Sequence, residues 1–121
     1  MAKILIVDDE QDFVQLLKTR LELNHYEVVT AFDGREGLKK AKQDKPDLII
    51  LDILMPNVDG IAMAAEVRKD PEIKHIPIVY LTCLVDKKEI KQQGIIGGEI
   101  FLAKPLDAKV LLQTLEKLLK K

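Results

Sequence analysis

The sequence predicts an α/β domain in which a five-stranded parallel sheet lies between two layers of helices. Five short apolar runs recur along the 121 residues, and a helix-like pattern follows each of them. Three of these runs are almost uninterrupted Ile, Leu and Val, which is typical of strands that are buried on both faces. Because crossovers between parallel strands are right-handed, the repeated strand–helix order produces one doubly wound sheet with helices on both sides.

The first strand, residues 4–7, and the first helix meet at a group of acids. The helix begins within residues 8–12, since acidic side chains in a first turn interact favourably with the positive end of the helix dipole. Its predicted apolar face comprises Phe13, Leu16, Leu17 and Leu21.

The second strand spans residues 26–31 and the third spans 48–51, with the second helix between them. That helix opens at Asp33, and Glu36 three residues later completes a variant of the capping box. The third helix follows the turn at 57–60. Its predicted apolar face comprises Ile61, Ala64, Ala65 and Val67.

The fourth and fifth strands, residues 78–81 and 100–103, flank the weakest of the predicted helices. Residues 86–96 have no clean apolar face, and glycines in and just after the segment each lower helix propensity by about 1 kcal/mol relative to alanine. The fifth helix is capped by Asp107, and Val110 lies off its apolar stripe. The stripe comprises Leu111, Leu112, Leu115, Leu118 and Leu119.

Composition narrows the classes of function. The chain has 19 Lys and Arg against 20 Asp and Glu, so no strong net field attracts it to nucleic acid or to an anionic membrane. Cys83 is the only cysteine, which excludes a disulfide framework and a cysteine-based zinc site. The apolar stretch near the N-terminus is too short for a signal peptide or a transmembrane span. We therefore expect one domain over residues 1–121, located in the cytoplasm.

Polar side chains follow four of the five predicted strands at the point where each strand ends. Since ligands of an open parallel sheet bind outside the carboxyl ends of its strands, these side chains share one edge. Acids brought together by two strands would repel one another, and a bound cation such as Mg²⁺, which prefers oxygen ligands, would remove that conflict. The residues concerned are Asp8, Asp9 and Glu10 after the first strand, Asp52 after the third, Thr82 after the fourth and Lys104 after the fifth.

The same edge could accept a phosphoryl group. A carboxylate can attack phosphorus to form an aspartyl phosphate, which adds roughly two negative charges. Mg²⁺ and the ammonium group of Lys104 would neutralise these charges, and the Thr82 hydroxyl would donate to a phosphoryl oxygen. Catalysis would then consist mostly of positioning and charge neutralisation.

The chain resembles the response-regulator receiver domains of two-component signalling, of the chemotaxis-regulator type, over nearly all its length. The resemblance is specific because five motifs occur together in the same order and spacing. They are Ile-Leu-Ile-Val-Asp-Asp-Glu at 4–10, Asp-Leu-Ile-Ile-Leu-Asp-Ile-Leu-Met-Pro at 47–56, Asp-Gly at 59–60, Pro-Ile-Val-Tyr-Leu-Thr at 77–82 and Lys-Pro at 104–105. The resemblance implies a flavodoxin-like three-layer sandwich with strand order 2-1-3-4-5.

The resemblance also implies how the phosphoryl group and the metal are held. Asp52 matches the phosphoacceptor, and the phosphodonor would be the phosphohistidine of a sensor kinase or a phosphotransfer protein. Asp8 and Asp9 match the acidic pair that holds Mg²⁺, with Asp52 and the backbone carbonyl of Leu54 as further ligands. Lys104 matches the invariant lysine of the family.

The switch residues implied by the resemblance are Thr82 and Phe101. Our hypothesis is that phosphorylation draws Thr82 toward Asp52 and that Phe101 rotates into the vacated space. This would change the surface formed by the fourth helix, the fifth strand and the fifth helix (α4-β5-α5 of the family), which a partner or effector reads. The weak fourth helix suits this role because moving elements come from the less stable parts of a fold.

Four residues depart from the family pattern or qualify it. Phe101 replaces the commoner tyrosine, so its ring carries no hydroxyl. Cys83 stands where a small residue is frequent, and Leu54 and Leu84 flank the site with apolar side chains. We predict that Leu54 and Leu84 hinder the attacking water and slow the loss of the phosphoryl group.

Other functions with related chemistry are less well supported by the sequence. A Mg²⁺-dependent phosphatase of the haloacid-dehalogenase type also uses Asp, Thr and Lys, but its nucleophile normally ends the first strand in an Asp-x-Asp pattern. A receiver-like module that signals without phosphorylation would lack an acid, the threonine or the lysine, and none is lost here. A flavodoxin-like cofactor binder would need a phosphate-binding loop after the first strand. We therefore expect a phosphoacceptor switch that catalyses its own phosphorylation and dephosphorylation, rather than an enzyme in the ordinary sense.

Overall fold

A computed structural model describes residues 1–53, 60–82, 95–96, 99–103 and 107–119, with the backbone alone at Thr82, Ile95, Ile96, Glu99 and Ala103. The strands are β1 (Lys3–Val7), β2 (Glu27–Ala31), β3 (Leu48–Asp52), β4 (Ile78–Thr82), β5 (Ile95–Ile96) and β6 (Glu99–Ala103). The helices are α1 (Gln11–Leu23), α2 (Gly34–Asp44), α3 (Gly60–Lys69) and the C-terminal helix (Ala108–Leu119).

Five parallel strands lie in the order β2-β1-β3-β4-β6, which confirms the predicted order 2-1-3-4-5. The two-residue strand β5 pairs antiparallel with β6 at the outer edge. The helix predicted over residues 86–96 is therefore wrong for Ile95 and Ile96, and its residues before them lie outside the described ranges. Isoleucine favours strands, and only two residues separate this pair from β6, which is the length of a tight hairpin connection.

Helices cover both faces of the sheet, as the prediction of a doubly wound sandwich requires. Leu5 and Val7 belong to a core that the sheet forms with α2 and α3. Ile4 and Ile6 belong to a second core, which contains buried residues of α1 and the C-terminal helix. Successive residues thus point to opposite faces and both faces are buried, which explains the uninterrupted apolar runs. Within the described ranges, no helix has the length and apolar character that a membrane crossing requires.

The predicted buried face of α1 needs one correction. Val14, Leu17 and Leu21 are buried, whereas Leu16 is 68% exposed. Adjacent helix residues point about 100° apart, so Leu16 and Leu17 cannot both face the sheet. The spacing of three and then four residues from Val14 to Leu21 defines the face that packs.

The predicted face of α3 is also partly wrong. Ala64 and Val67 are buried as expected, but Ile61 is 62% exposed and Ala65 is exposed. Met63 is fully buried in their place, because it lies one turn before Val67 on the side of the helix that faces the sheet.

Both predicted N-terminal caps are present. Asp33 Oδ1 accepts a hydrogen bond from the Glu36 amide at 2.8 Å, and Glu36 Oε1 accepts one from the Phe32 amide at 2.8 Å. Asp107 Oδ1 accepts from the Lys109 amide at 2.9 Å at the start of the C-terminal helix. The bonds from the Glu36 and Lys109 amides satisfy first-turn donors that have no partner within their own helix, and the bond from the Phe32 amide completes the capping box.

Candidate functional site

The carboxyl ends of β1 and β3 bring two aspartates together at one edge of the sheet. Val7 pairs with Leu51, so Asp8 and Asp52 occupy the next matched positions. The Asp8 amide donates to the carbonyl oxygen of Ala31 in β2 at 3.1 Å, which holds Asp8 against the neighbouring strand. Both aspartates are buried.

Asp8, Glu10 and Asp52 form a group that we call the acidic cluster. Each residue contributes one carboxylate oxygen, and these oxygens lie within 4.8 Å of one another. Asp8 is fully buried, Asp52 is 6% exposed and Glu10 is exposed. The Glu10 amide donates to Asp8 Oδ1 at 3.0 Å, so the turn after β1 orients the two residues relative to each other. The acidic cluster therefore combines two buried carboxylates with a third that reaches solvent.

The acidic cluster contains two of the predicted metal ligands and one residue that was not among them. Glu10 was placed at this edge by the sequence, but the predicted side-chain ligands were Asp8, Asp9 and Asp52. Asp9 is exposed and stands outside the three-acid grouping in the described part of the chain, so its role as a ligand stays a prediction. The sequence feature that could have identified Glu10 is its position two residues after Asp8, which directly follows β1. An Asx turn there directs the chain back toward the Asp8 side chain.

The chemistry of the acidic cluster suits a hard divalent cation. Three carboxylates this close together repel one another, and a cation between them would relieve the repulsion. Mg²⁺ prefers oxygen ligands and keeps several waters, for which the solvent-exposed side at Glu10 leaves access. The residues present therefore fit the predicted Mg²⁺.

Phe101 of β6 lies beside Tyr80 of β4, with which it is in register. The two rings stack with their centroids 5.0 Å apart and their planes inclined by 22°. Tyr80 is buried and Phe101 is half-buried. Such ring pairs contribute about 0.5–1.5 kcal/mol beyond simple burial, so the stack gives Phe101 a defined position. Both rings line a cleft of about 370 Å³ together with Ile53, Ile61, Ala64, Ala65 and Arg68.

The structure covers the remaining predicted site residues only in part. The backbone of Thr82 ends β4 one residue after Leu81, which pairs with Asp52. Thr82 thus lies at the same edge of the sheet as the acidic cluster. The predicted site residues that lie outside the described ranges are Leu54, Cys83, Leu84 and Lys104.

Comparison with known proteins decides the family, because residues 4–116 match the response regulator receiver domain. The chain belongs to this family. It is 42% identical over 111 residues to response regulator PleD of Caulobacter vibrioides, and 42% identical over 108 residues to the alkaline phosphatase synthesis transcriptional regulatory protein PhoP of Bacillus subtilis. The alignments cover 91% and 88% of this chain, which spans 24% and 44% of the length of these two relatives.

Solved receiver structures share the fold. The chemotaxis protein CheY4 of Vibrio cholerae is 36% identical, with a TM-score of 0.84 over 98% of both chains. The receiver domain of a sensor histidine kinase from Pseudomonas aeruginosa PAO1 is 25% identical, with a TM-score of 0.84 over 99% of this chain and 98% of that one. That structure has a magnesium ion coordinated in its active site cleft.

Membership of the family confirms the predicted class of function. The chain is a phospho-accepting receiver domain of the response regulator receiver family, and receiver domains are signalling switches that interact with histidine kinases and effectors. The acidic cluster fits the Mg²⁺ site that receiver domains generally have. A phosphatase of the haloacid-dehalogenase type is not favoured.

Proposed function

We propose that this receiver domain takes its phosphoryl group on Asp52 in a Mg²⁺-dependent reaction. The observation that carries the proposal is the acidic cluster, in which Asp52 ends β3 close to Asp8 and Glu10. Asp8 is fully buried, and Asp52 is buried with 6% of its surface exposed. Asp52 therefore lies beside the proposed metal ligands and is the less enclosed of the two buried carboxylates.

In the proposed reaction, a carboxylate oxygen of Asp52 attacks the phosphorus of a phosphohistidine. The oxygen–phosphorus bond forms while the phosphorus–nitrogen bond breaks, and the imidazole of the donor keeps the electron pair of that bond. When bound, Mg²⁺ supplies positive charge that offsets the charge of the transferring group. Water later hydrolyses the aspartyl phosphate, which releases inorganic phosphate and restores the carboxylate. The domain thus acts in both its own phosphorylation and its own dephosphorylation.

The rest of the proposed site follows the family pattern. The carbonyl of Leu54 and the side chain of Asp9 complete the metal ligands, Lys104 offsets phosphoryl charge, and the Thr82 hydroxyl donates to a phosphoryl oxygen. Glu10 competes with Asp9 for the third carboxylate position because it belongs to the acidic cluster. An Mg²⁺ titration of Asp9→Asn and Glu10→Gln separates the two, since the variant that lacks a ligand will bind Mg²⁺ more weakly.

We propose Thr82 and Phe101 as the residues that convert phosphorylation into a change of surface. Phe101 supports this because its half-buried ring borders the cleft and belongs to β6, which pairs with the strand that ends in Thr82. Shifting a two-state switch from 1:99 to 99:1 requires about 5.5 kcal/mol. Several hydrogen bonds to a charged phosphoryl group, at about 1.5–3 kcal/mol each, are of the right total size. The responding surface would include β6 and the C-terminal helix, while the predicted fourth helix lies outside the described residues up to position 94.

The proposed partners follow from this chemistry. A sensor histidine kinase or a phosphotransfer protein supplies the phosphoryl group in the cytoplasm, and an effector protein or domain reads the altered surface. We take residues 1–121 as one receiver domain without its own contact to nucleic acid, since the net charge is −1.

The direct test is incubation with acetyl phosphate and Mg²⁺, followed by measurement of the intact mass. We expect the wild type to gain one phosphoryl group, and we expect EDTA or Asp52→Asn to abolish the gain. Asp44→Asn is a matched control because Asp44 ends α2 near the start of β1, where its backbone carbonyl accepts from Lys3 Nζ at 3.5 Å. A gain in Asp52→Asn would overturn the choice of acceptor, and no gain in the wild type with either acetyl phosphate or a kinase would overturn the proposed reaction.

A further inference from the structure

Gly60, the first residue of α3, packs directly against the backbone of Asp52. Its amide donates to the carbonyl oxygen of Ile53 at 2.8 Å, which ties the start of the helix to the end of β3. A Cβ atom at position 60 would overlap the Asp52 carbonyl oxygen and would lie 2.8 Å from Ile53 Cα. Both contacts are closer than side-chain carbons tolerate, and the obstructing atoms belong to the main chain.

We propose that Gly60 is a positioning residue for the metal site, and this inference rests on the proposed function. A side chain at position 60 would push the Asp52 peptide away from α3 and turn its carboxylate relative to Asp8 and Glu10. The oxygens of the acidic cluster lie within 4.8 Å of one another, so small movements of Asp52 change the distances that a shared cation requires. A misplacement of about 1 Å at a reacting group can cost about 100-fold in rate.

Space rather than backbone conformation is what requires glycine at position 60. The φ angle of Gly60 lies outside the left-handed range, so a residue with a side chain could adopt the same backbone conformation. The consequence of a substitution is therefore a shift of the neighbouring backbone. That backbone belongs to the proposed phosphoacceptor.

Gly37 in α2 provides a matched control. It is also a buried helix glycine without room for a Cβ, but its nearest neighbours are Val7 Cγ2 at 2.8 Å and Met63 Sδ at 2.9 Å. These are side-chain atoms rather than main-chain atoms. Met63 is flexible, whereas Val7 is β-branched and stiff, so part of the clash remains as a loss of packing. Gly37→Ala should therefore lower stability while leaving the geometry of the acidic cluster in place.

The test compares Mg²⁺ affinity in wild type, Gly60→Ala and Gly37→Ala by NMR titration of backbone amides, because the chain has no tryptophan for fluorescence. Circular dichroism first establishes that each variant is folded. We expect Gly60→Ala to bind Mg²⁺ at least about tenfold more weakly and to phosphorylate more slowly with acetyl phosphate. We expect Gly37→Ala to keep its Mg²⁺ affinity within about twofold of wild type. Wild-type affinity in folded Gly60→Ala, or an equal loss in both variants, would overturn the inference.

If Gly60→Ala does not fold, hydrogen exchange in the wild type provides the test. Coupling between two sites is reciprocal, so Mg²⁺ should slow exchange of the Gly60 amide if Gly60 positions the metal site. The Gly37 amide, which donates to the Asp33 carbonyl at 2.9 Å, serves as the reference. Equal effects of Mg²⁺ on the two amides would refute the positioning role. A wild type that neither binds Mg²⁺ nor accepts a phosphoryl group would overturn the proposed function itself, and the inference with it.

Discussion

Asp8→Asn should make the metal-free domain more stable and, at the same time, weaken its stabilisation by Mg²⁺. Asp8 is fully buried, and its carboxylate lies within 4.8 Å of those of Asp52 and Glu10. Two unit charges at that separation repel by about 3.5 kcal/mol at an effective dielectric constant of about 20. Glu10 is exposed, so solvent screens most of the repulsion between Glu10 and the other two carboxylates. The buried pair of Asp8 and Asp52 therefore accounts for the larger part of the repulsion.

Asparagine keeps an oxygen that can accept the Glu10 amide, so the substitution weakens that hydrogen bond without removing it. The loss of charge assistance costs about 1 kcal/mol, which leaves a net gain of about 1–3 kcal/mol for the metal-free state. In a domain of this size, each 1 kcal/mol raises the midpoint of thermal unfolding by about 3–5 °C. Mg²⁺ at 100 times its dissociation constant should stabilise the wild type by about 2.7 kcal/mol. Mg²⁺ at the same concentration should stabilise Asp8→Asn by much less.

The assay is thermal and urea unfolding of wild type, Asp8→Asn and the control Asp44→Asn, each in EDTA and in excess Mg²⁺. The two effects on Asp8→Asn have opposite signs, so a general loss of packing cannot mimic them. An Asp8→Asn protein less stable than wild type in EDTA would refute the repulsion between the buried carboxylates. Undiminished stabilisation of Asp8→Asn by Mg²⁺ would refute Asp8 as a ligand.

Four further substitutions test the packing of the helices and loops against the sheet. Burial, and to a lesser extent Glu116, raise the pKa of Tyr26, so the folded state retains a proton that the unfolded chain loses above about pH 10. The free energy of unfolding should fall as the pH rises through that range, and Tyr26→Phe should show a smaller fall in urea unfolding. Arg68 Nη1 donates to two backbone carbonyls of the segment before β4, at 2.8 Å each, so Arg68→Met should lower the free energy of unfolding by about 1.5–3 kcal/mol. Leu16→Ala should change the free energy of unfolding by less than about 0.5 kcal/mol, because Leu16 is exposed. Leu17→Ala should lower it by about 2–5 kcal/mol, because Leu17 is buried. Equal effects of the two substitutions would contradict the corrected face of α1.

The sheet could be predicted from the sequence because a parallel strand covered on both faces leaves a strong signal. Every residue of Leu48–Asp52 is buried, and such a run has few alternative explanations. The helix faces were harder to predict, since periodicity alone cannot tell which of Leu16 and Leu17 points toward the sheet. The pair Ile95–Ile96 carries no strand signal of its own, because two residues are too few to show any period. Their pairing with β6 is a tertiary contact that overrides the local pattern.

The site could be predicted as an edge of the sheet, but the ligand set depends on the turn that follows β1. Asp8 and Asp52 are brought together by strand register, which the order of strands already implies. Asp9 and Glu10 are both close enough in sequence to join them. The hydrogen bond from the Glu10 amide to Asp8 Oδ1 holds these two residues together, whereas Asp9 stands outside the three-acid grouping. Mg²⁺ binding by Glu10→Gln is thus a test of whether this local turn, rather than the family pattern, selects the third carboxylate.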